Sequence, residues 1–148
     1  MTGGSGIKSV RDLVVYQRLV QLHLEVDALT MMFPAHERYE LGAQLRRASN
    51  SAPANLAETW NNKHTKIYLE GIQRAIGEVQ EVEHHIELVF RKRYVDASRY
   101  NELLARYQES RRMLWGLARS LRRSLRPATG SGAPLSPVTY HLSPESSV

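Results

Sequence analysis

The chain has no cysteine among its 148 residues, which removes disulfides, thiolate nucleophiles and sulfur ligation of metals together. Phenylalanine occurs only twice and clusters of β-branched residues are scarce, so there is little from which to build a sheet core. No apolar run approaches the roughly 20 residues of a membrane-crossing helix. The opening MTGGSGIKSV lacks the apolar centre of a signal peptide and reads as a flexible leader over 1–9, so a cytoplasmic protein is expected, with no membrane partner. There is no phosphate-cradling loop, no dinucleotide fingerprint and no nucleophile placed beside a base, so no cofactor and no catalytic residue is expected.

What the chain does contain is helix formers in amphipathic order. Its length suits one domain, and alanine, leucine, arginine and glutamate are abundant. Ser9 and Asp12 have the spacing of a capping box, which predicts a first helix from about Val10, with the stripe Val15, Leu19, Leu22, Val26 and Leu29. That helix stops before Phe33-Pro34, because the residue ahead of a proline avoids helical geometry. A second helix is expected from about Glu37 to Glu58, with TWNNKHT as the connection and Thr65 as the next N-cap. The third presents Leu69, Ile72, Ile76, Val79, Ile86 and Phe90 on one face. After the turn RKRYVD, Asp96 or Ser98 caps a fourth helix bearing Tyr100, Leu103, Tyr107, Leu114, Leu117 and Leu121. This is the pattern of an all-α, antiparallel up-down-up-down four-helix bundle over 10–126, followed by a Pro/Ser/Gly-rich disordered tail over 127–148.

Pro53 lies in the middle of the second helical pattern, where its ring removes a donor and crowds the carbonyl of Ser49. Composition and periodicity leave two readings, a loop between two short helices or one kinked helix. Ser49 and Ser51 are positioned to return hydrogen bonds to backbone left unpaired there.

Charge is unevenly distributed. The net charge is −2 from Met1 to Phe90, +8 from Arg91 to Arg126, and −1 beyond. Gln108, Arg112, Trp115, Arg119, Arg122 and Arg126 recur at alternating steps of four and three, forming a stripe about 120° from the Leu114/Leu121 core line. From Ser110 to Arg126 there are six arginines, Arg123 among them, and no acid. Arginine grips phosphate with a forked donor and an interleaved tryptophan offers a stacking face, which points to nucleic acid. The plainer reading is a solvated face, with arginines paired to Glu78, Glu81 and their neighbours and Trp115 packed at a subunit interface beside Tyr16 and Val20. Arg46 and Arg47 raise the same question on the second helix. They point about 100° apart, so one is expected in a protein pair and the other on the anion-binding surface. Glu81 and His84 form a Glu-x-x-His pair, but di-iron bundles use two such pairs and the chain has only this one, so no metal site is expected.

RDLVVYQ at 11–17, FPAHERYELGAQLRRASNSAPANLAE at 33–58 and the closing YNELLARYQESRRMLWGLARSLRR resemble the four-helix bundle family of 23S ribosomal-RNA intervening-sequence proteins. Ala75, Gly77, Glu81, Glu83 and Ile86 match its A-x-G-S-x-x-E-x-E-x-x-L pattern. The chain differs at Thr59 to Asn62, where glycine and Gly-Arg are usual, at Glu78 in place of serine, and at Gly71 in place of an aromatic. The resemblance implies a kinked, continuous second helix. It extends to the accessory variability determinants of diversity-generating retroelements, and so implies a homopentamer with basic surfaces that associates with RNA or a DNA–RNA complex and with a reverse transcriptase. The combined expectation is a non-enzymatic oligomeric RNA-binding or ribonucleoprotein scaffold, with Arg46, Arg47, Arg112, Trp115, Arg119, Arg122, Arg123 and Arg126 at the nucleic acid. The alternatives are a protein-interaction scaffold facing an acidic partner and, third, a metal-dependent helical-bundle enzyme.

Overall fold

The computed structural model describes residues 6–126; the expectations for the tail and for the first five residues lie outside the described residues. The capping box forms as its spacing predicts: Ser9 Oγ accepts from the amide of Arg11 at 3.1 Å, and the Asp12 carboxylate accepts from the amides of Lys8 and Ser9 at 2.8 and 3.0 Å. It caps only a 3-10 turn, Val10–Asp12, however, because Leu13 is extended and interrupts the run. The first α-helix, α1, is Val14–Thr30. It is followed by the one-turn helix α2, Ala35–Arg38, and by α3, Leu41–Thr59, α4, Lys66–Arg91, and α5, Ala97–Leu125. The expected helix from Glu37 is thus two pieces.

The break has an electrostatic cause. Glu37 is turned inward, and its carboxylate accepts from Lys92 Nζ at 2.5 Å and from the Tyr94 hydroxyl at 3.0 Å. Its carboxyl is held below the usual range, chiefly by the bond from Lys92. Arg46, one turn into α3, donates to the carbonyl of Arg38 at 3.0 Å and to the Thr30 hydroxyl at 2.7 Å. It thereby satisfies one carbonyl that the end of α2 leaves without a helical donor.

α3 runs unbroken through Pro53, which is buried within it. Ser49 does not compensate for the proline directly: its hydroxyl donates to the carbonyl of Arg46 at 3.1 Å and lies 2.7 Å from His23 Nδ1. The carbonyl of Ser51 does gain a donor, Asn55 Nδ2, at 2.8 Å. Interior proline costs roughly 3 kcal/mol in an isolated helix. Here full burial of Leu45, Ala48, Ala52 and Leu56 on the same helix offsets it. α3 and α4 approach closely: a Cβ added to Gly71 would lie 2.2 Å from Thr59 Oγ1.

Both ends of α4 are capped. The Thr65 side chain accepts from the amide of Ile67. At the other end Arg93 adopts φ 68°, and the amides of Arg93 and Tyr94 return to the carbonyls of Phe90 and Val89, both at 2.9 Å. This is a Schellman closure with arginine where glycine is usual. Asp96, not Ser98, then caps α5 by accepting from the amide of Arg99 at 2.8 Å.

α1, α3, α4 and α5 form the bundle, with α3 packed between α1 and α4, and α5 between α4 and α1. Leu19, Leu22, Leu45, Leu56, Ile72, Ile86, Leu103, Tyr107 and Leu114 are fully buried at its centre. Leu69 and Phe90, expected on the core line, are only half-buried, as are Tyr100 and Leu117. Phe90 instead stacks on Tyr100, with ring centroids 4.4 Å apart, near the α4–α5 turn. No described helix is long and apolar enough to cross a membrane.

Candidate nucleic-acid interface

The second half of α5 leaves the bundle's charge balance unresolved in a specific place. Arg111 faces inward and holds Glu83 with Nε 2.7 Å from Oε2. Arg112, Arg119, Arg123 and Arg126 are exposed, and none of their side chains makes a salt bridge or hydrogen bond among the described residues. The spacing of Arg112, Arg119 and Arg126, two helical turns per step, lays three of them along one line about 21 Å long. Arg122 is half-buried beside this row and does have an interaction within the protein.

The acids that might have neutralised the row are engaged elsewhere. Glu78 and Glu81 both face Arg47 of α3, and Glu81 also lies 3.2 Å from His85 Nε2. Desolvation opposes the charged form of both carboxylates. At Glu81 the bonds from Arg47 and His85 outweigh it and hold the carboxyl below its usual range. At Glu78 desolvation wins and the carboxyl sits above its usual range. Between α1 and α5 the charges are matched: Glu25 accepts from Arg106 at 2.8 Å on each oxygen and from Arg99 at 3.3 Å, and Arg18 pairs with Glu109 at 3.0 Å. Arg106, assisted by Gln21 and Arg99, holds the Glu25 carboxyl at about 2, against its ordinary 4.5. Unpaired cations also occur singly at Arg11, Lys66 and Arg93, but α5 gathers four of them on one face and at one end.

Two expected members of the surface have partners within the protein. Arg46 is half-buried and committed to Thr30 and Arg38, with its guanidinium 6.0 Å from the Tyr39 ring. Arg47 is committed to Glu78 and Glu81, which raises its pKa. Arg46 is drawn into the protein, whereas Arg47, though paired, keeps about half of its side chain exposed. Trp115 does lie on the arginine stripe, but its ring is half-buried against the core and its Nε1 is buried without a hydrogen-bond partner. Tyr16, set beside Trp115 as an interface residue, likewise packs against the core, and Val20 is half-buried. The larger exposed apolar side chains among the described residues are Ile7, Val14, Leu24, Met31, Met32, Tyr39 and Ile67. Glu81 is spent on Arg47 and His85, and His84 is exposed; among the described residues no three metal-ligating side chains converge.

Sequence reasoning did not single out the arrangement in the connection between α3 and α4. Trp60–Asn62 forms a 3-10 turn, and Lys63 Nζ lies over the Trp60 ring, 5.2 Å from its centroid. The signal was present in a tryptophan, two asparagines and three cationic or titratable groups within seven residues, WNNKHTK, but periodicity arguments do not reach connections.

A family model described as 23S rRNA-intervening sequence protein matches residues 11–116, more than half of the chain. The chain belongs to that family. Among solved structures, the bundle is similar to a protein of unknown function from the S23 ribosomal protein family of Bacteroides thetaiotaomicron, with a TM-score of 0.64 and 20% identity. The similarity covers 70% of this chain and 97% of that one, and at this identity it shows the shared fold. No curated protein matches the chain. The match ends at residue 116, before Arg119, Arg122, Arg123 and Arg126.

Proposed function

We propose that this intervening-sequence family protein is a non-enzymatic scaffold that binds structured RNA through α5. The observation that carries the reading is the row Arg112, Arg119, Arg123 and Arg126, exposed and without ion pairs in a chain whose other buried and half-buried charges are largely matched. A solvated face would be expected to mix signs, whereas this segment has no acid from Ser110 to Arg126. Guanidinium groups at helical spacing hold phosphates through forked donors, and each neutralised phosphate releases counterions, so affinity depends steeply on salt.

Self-assembly is the second half of the reading. Leu24 and Met31 are about half exposed and lie on one line opposite the core stripe of α1, with Val14 exposed on a neighbouring line. Apolar residues aligned on an outer face favour association with another copy. Repeating a modest arginine row around an oligomer raises its effective concentration at the RNA. The homopentamer and the association with a reverse transcriptase, both implied by the family resemblance, are the specific forms this scaffold takes in our reading. The test is binding of a structured RNA fragment at several salt concentrations, with the mass in solution measured alongside. Binding to an acidic protein, with none to RNA at any salt concentration, would favour the protein scaffold instead.

A further inference from the structure

We infer that the α3–α4 connection, Trp60 to Lys66, is a stacking site for an unpaired nucleotide of the RNA whose phosphates lie on α5. The inference rests on the reading of α5 given above and assigns the recognition of unpaired bases to a different element.

Trp60 is held in a fixed orientation. It closes the last turn of α3, and its ring meets the edge of Tyr68 at 90° with centroids 5.6 Å apart. What lies over its face is the ammonium of Lys63, a cation on a flexible stem. A base can displace that ammonium and stack in its place, because every base has a π-face. The released Lys63 then stands beside the nucleotide's own phosphate. His64 and Lys66 are exposed next to it, and no acid occurs from Thr59 to Leu69. The side chains of Asn61 and Asn62 are exposed and have no hydrogen-bond partner among the described residues. Each amide offers donors and an acceptor to a base edge. The backbone carbonyl of Asn62 is already used by Thr65, which fixes the turn without engaging either amide.

Topology joins this site to the arginine row. α4 and α5 are antiparallel about the turn at Tyr94, and Lys66 and Arg122 each lie 28 residues from it. The connection therefore sits at the end of the bundle where Arg119, Arg123 and Arg126 finish. Trp115 is the poorer stacking platform of the two tryptophans, because its Nε1 is enclosed and no cation caps its ring. A protein partner would have little use for free amides and cations grouped around an aromatic face, whereas a looped-out nucleotide uses all three.

The experiment exploits the presence of only two tryptophans. Trp115→Phe leaves Trp60 as the sole emitter, and Trp60→Phe leaves Trp115. Each is titrated with an RNA hairpin carrying a single-stranded loop and with a blunt duplex of equal length. The hairpin is expected to quench Trp60 strongly and Trp115 little, and the duplex to quench neither strongly. Trp60→Ala should weaken hairpin binding roughly 5- to 150-fold without changing the salt slope, and leave duplex binding unaltered. Because Trp60 also packs on the core, Asn61→Ala and Lys63→Gln provide variants that leave the ring in place, and both should weaken the hairpin selectively. If Trp60 emission is indifferent to the hairpin and these variants bind like the parent, while arginine reversal on α5 abolishes binding, the stacking site is wrong and the RNA reading stands. If no variant, nor the parent, binds either RNA, both are overturned.

Discussion

α4 contains two glycines for which the same substitution should have opposite signs. At Gly71 an added Cβ would meet Thr59 at 2.2 Å from Oγ1, 2.8 Å from Cγ2 and 2.9 Å from Cβ. Rotating Thr59 does not relieve this, since its Cβ is itself too close, and rotation breaks the bond from Thr59 Oγ1 to the carbonyl of Asn55 at 2.8 Å. Overpacking of this kind costs about 1–3 kcal/mol, and the lost hydrogen bond about 1 more. Alanine's better helix propensity returns about 1 kcal/mol, so Gly71→Ala should destabilise by about 1–3 kcal/mol. At Gly77 nothing lies within 4 Å of the added carbon and the residue is exposed. There only the propensity acts, and Gly77→Ala should stabilise by about 1 kcal/mol. Thermal unfolding followed by circular dichroism at 222 nm reads both, with about 4 °C expected per kcal/mol for a domain of this size. A Gly71→Ala variant that melts higher than the parent, alongside Gly77→Ala, would show that α3 and α4 do not approach as closely as described.

Pro53→Ala should keep or raise helicity and stabilise the monomeric fold, because the carbonyl of Ser49 regains a donor; loss of helicity would mean the bend is required. Arg93→Gly should stabilise by about 0.5–1 kcal/mol in denaturant titrations, since glycine adopts φ 68° without the cost an L side chain incurs. The Glu25 carboxyl is held near 2 in the folded state, below its ordinary 4.5, so its contribution is complete above about pH 4.5 and is lost as pH falls toward 2. Glu25→Gln should therefore lower stability at neutral pH and flatten the acid limb of the unfolding profile over that window.

Local signals in the sequence carried most of the fold. The Ser9/Asp12 box, the Thr65 and Asp96 caps and the core stripes on α1, α4 and α5 depend on neighbours within a turn or two, and these elements formed where the spacing places them, within a few residues. Pro53 was settled by resemblance, since its own chemistry argued equally for a loop. The break at Tyr39–Glu40 was not legible, because it depends on Glu37 meeting Lys92 and Tyr94, 55 and 57 residues away. The partners of Arg46 and Arg47 were not legible for the same reason: Thr30, Glu78 and Glu81 come beside them only in the fold. The arginines of α5 were legible as a stripe, but only the fold shows that Glu78, Glu81 and Glu83 are spent on Arg47 and Arg111.

The central claim is that Arg112, Arg119, Arg123 and Arg126 hold RNA phosphates. It is tested most directly by the affinity of a structured RNA measured against salt, for the parent and for the variant with all four arginines changed to glutamate. Four phosphate contacts predict a slope of about −2.8 on single-stranded segments to about −3.6 on duplex ones in log affinity against log salt, or about 50- to 150-fold weaker binding between 50 and 200 mM. The charge-reversed variant should keep its helicity and assembled mass and lose binding. Binding equal to the parent's, with the same slope, would contradict the account and leave the row as a solvated face.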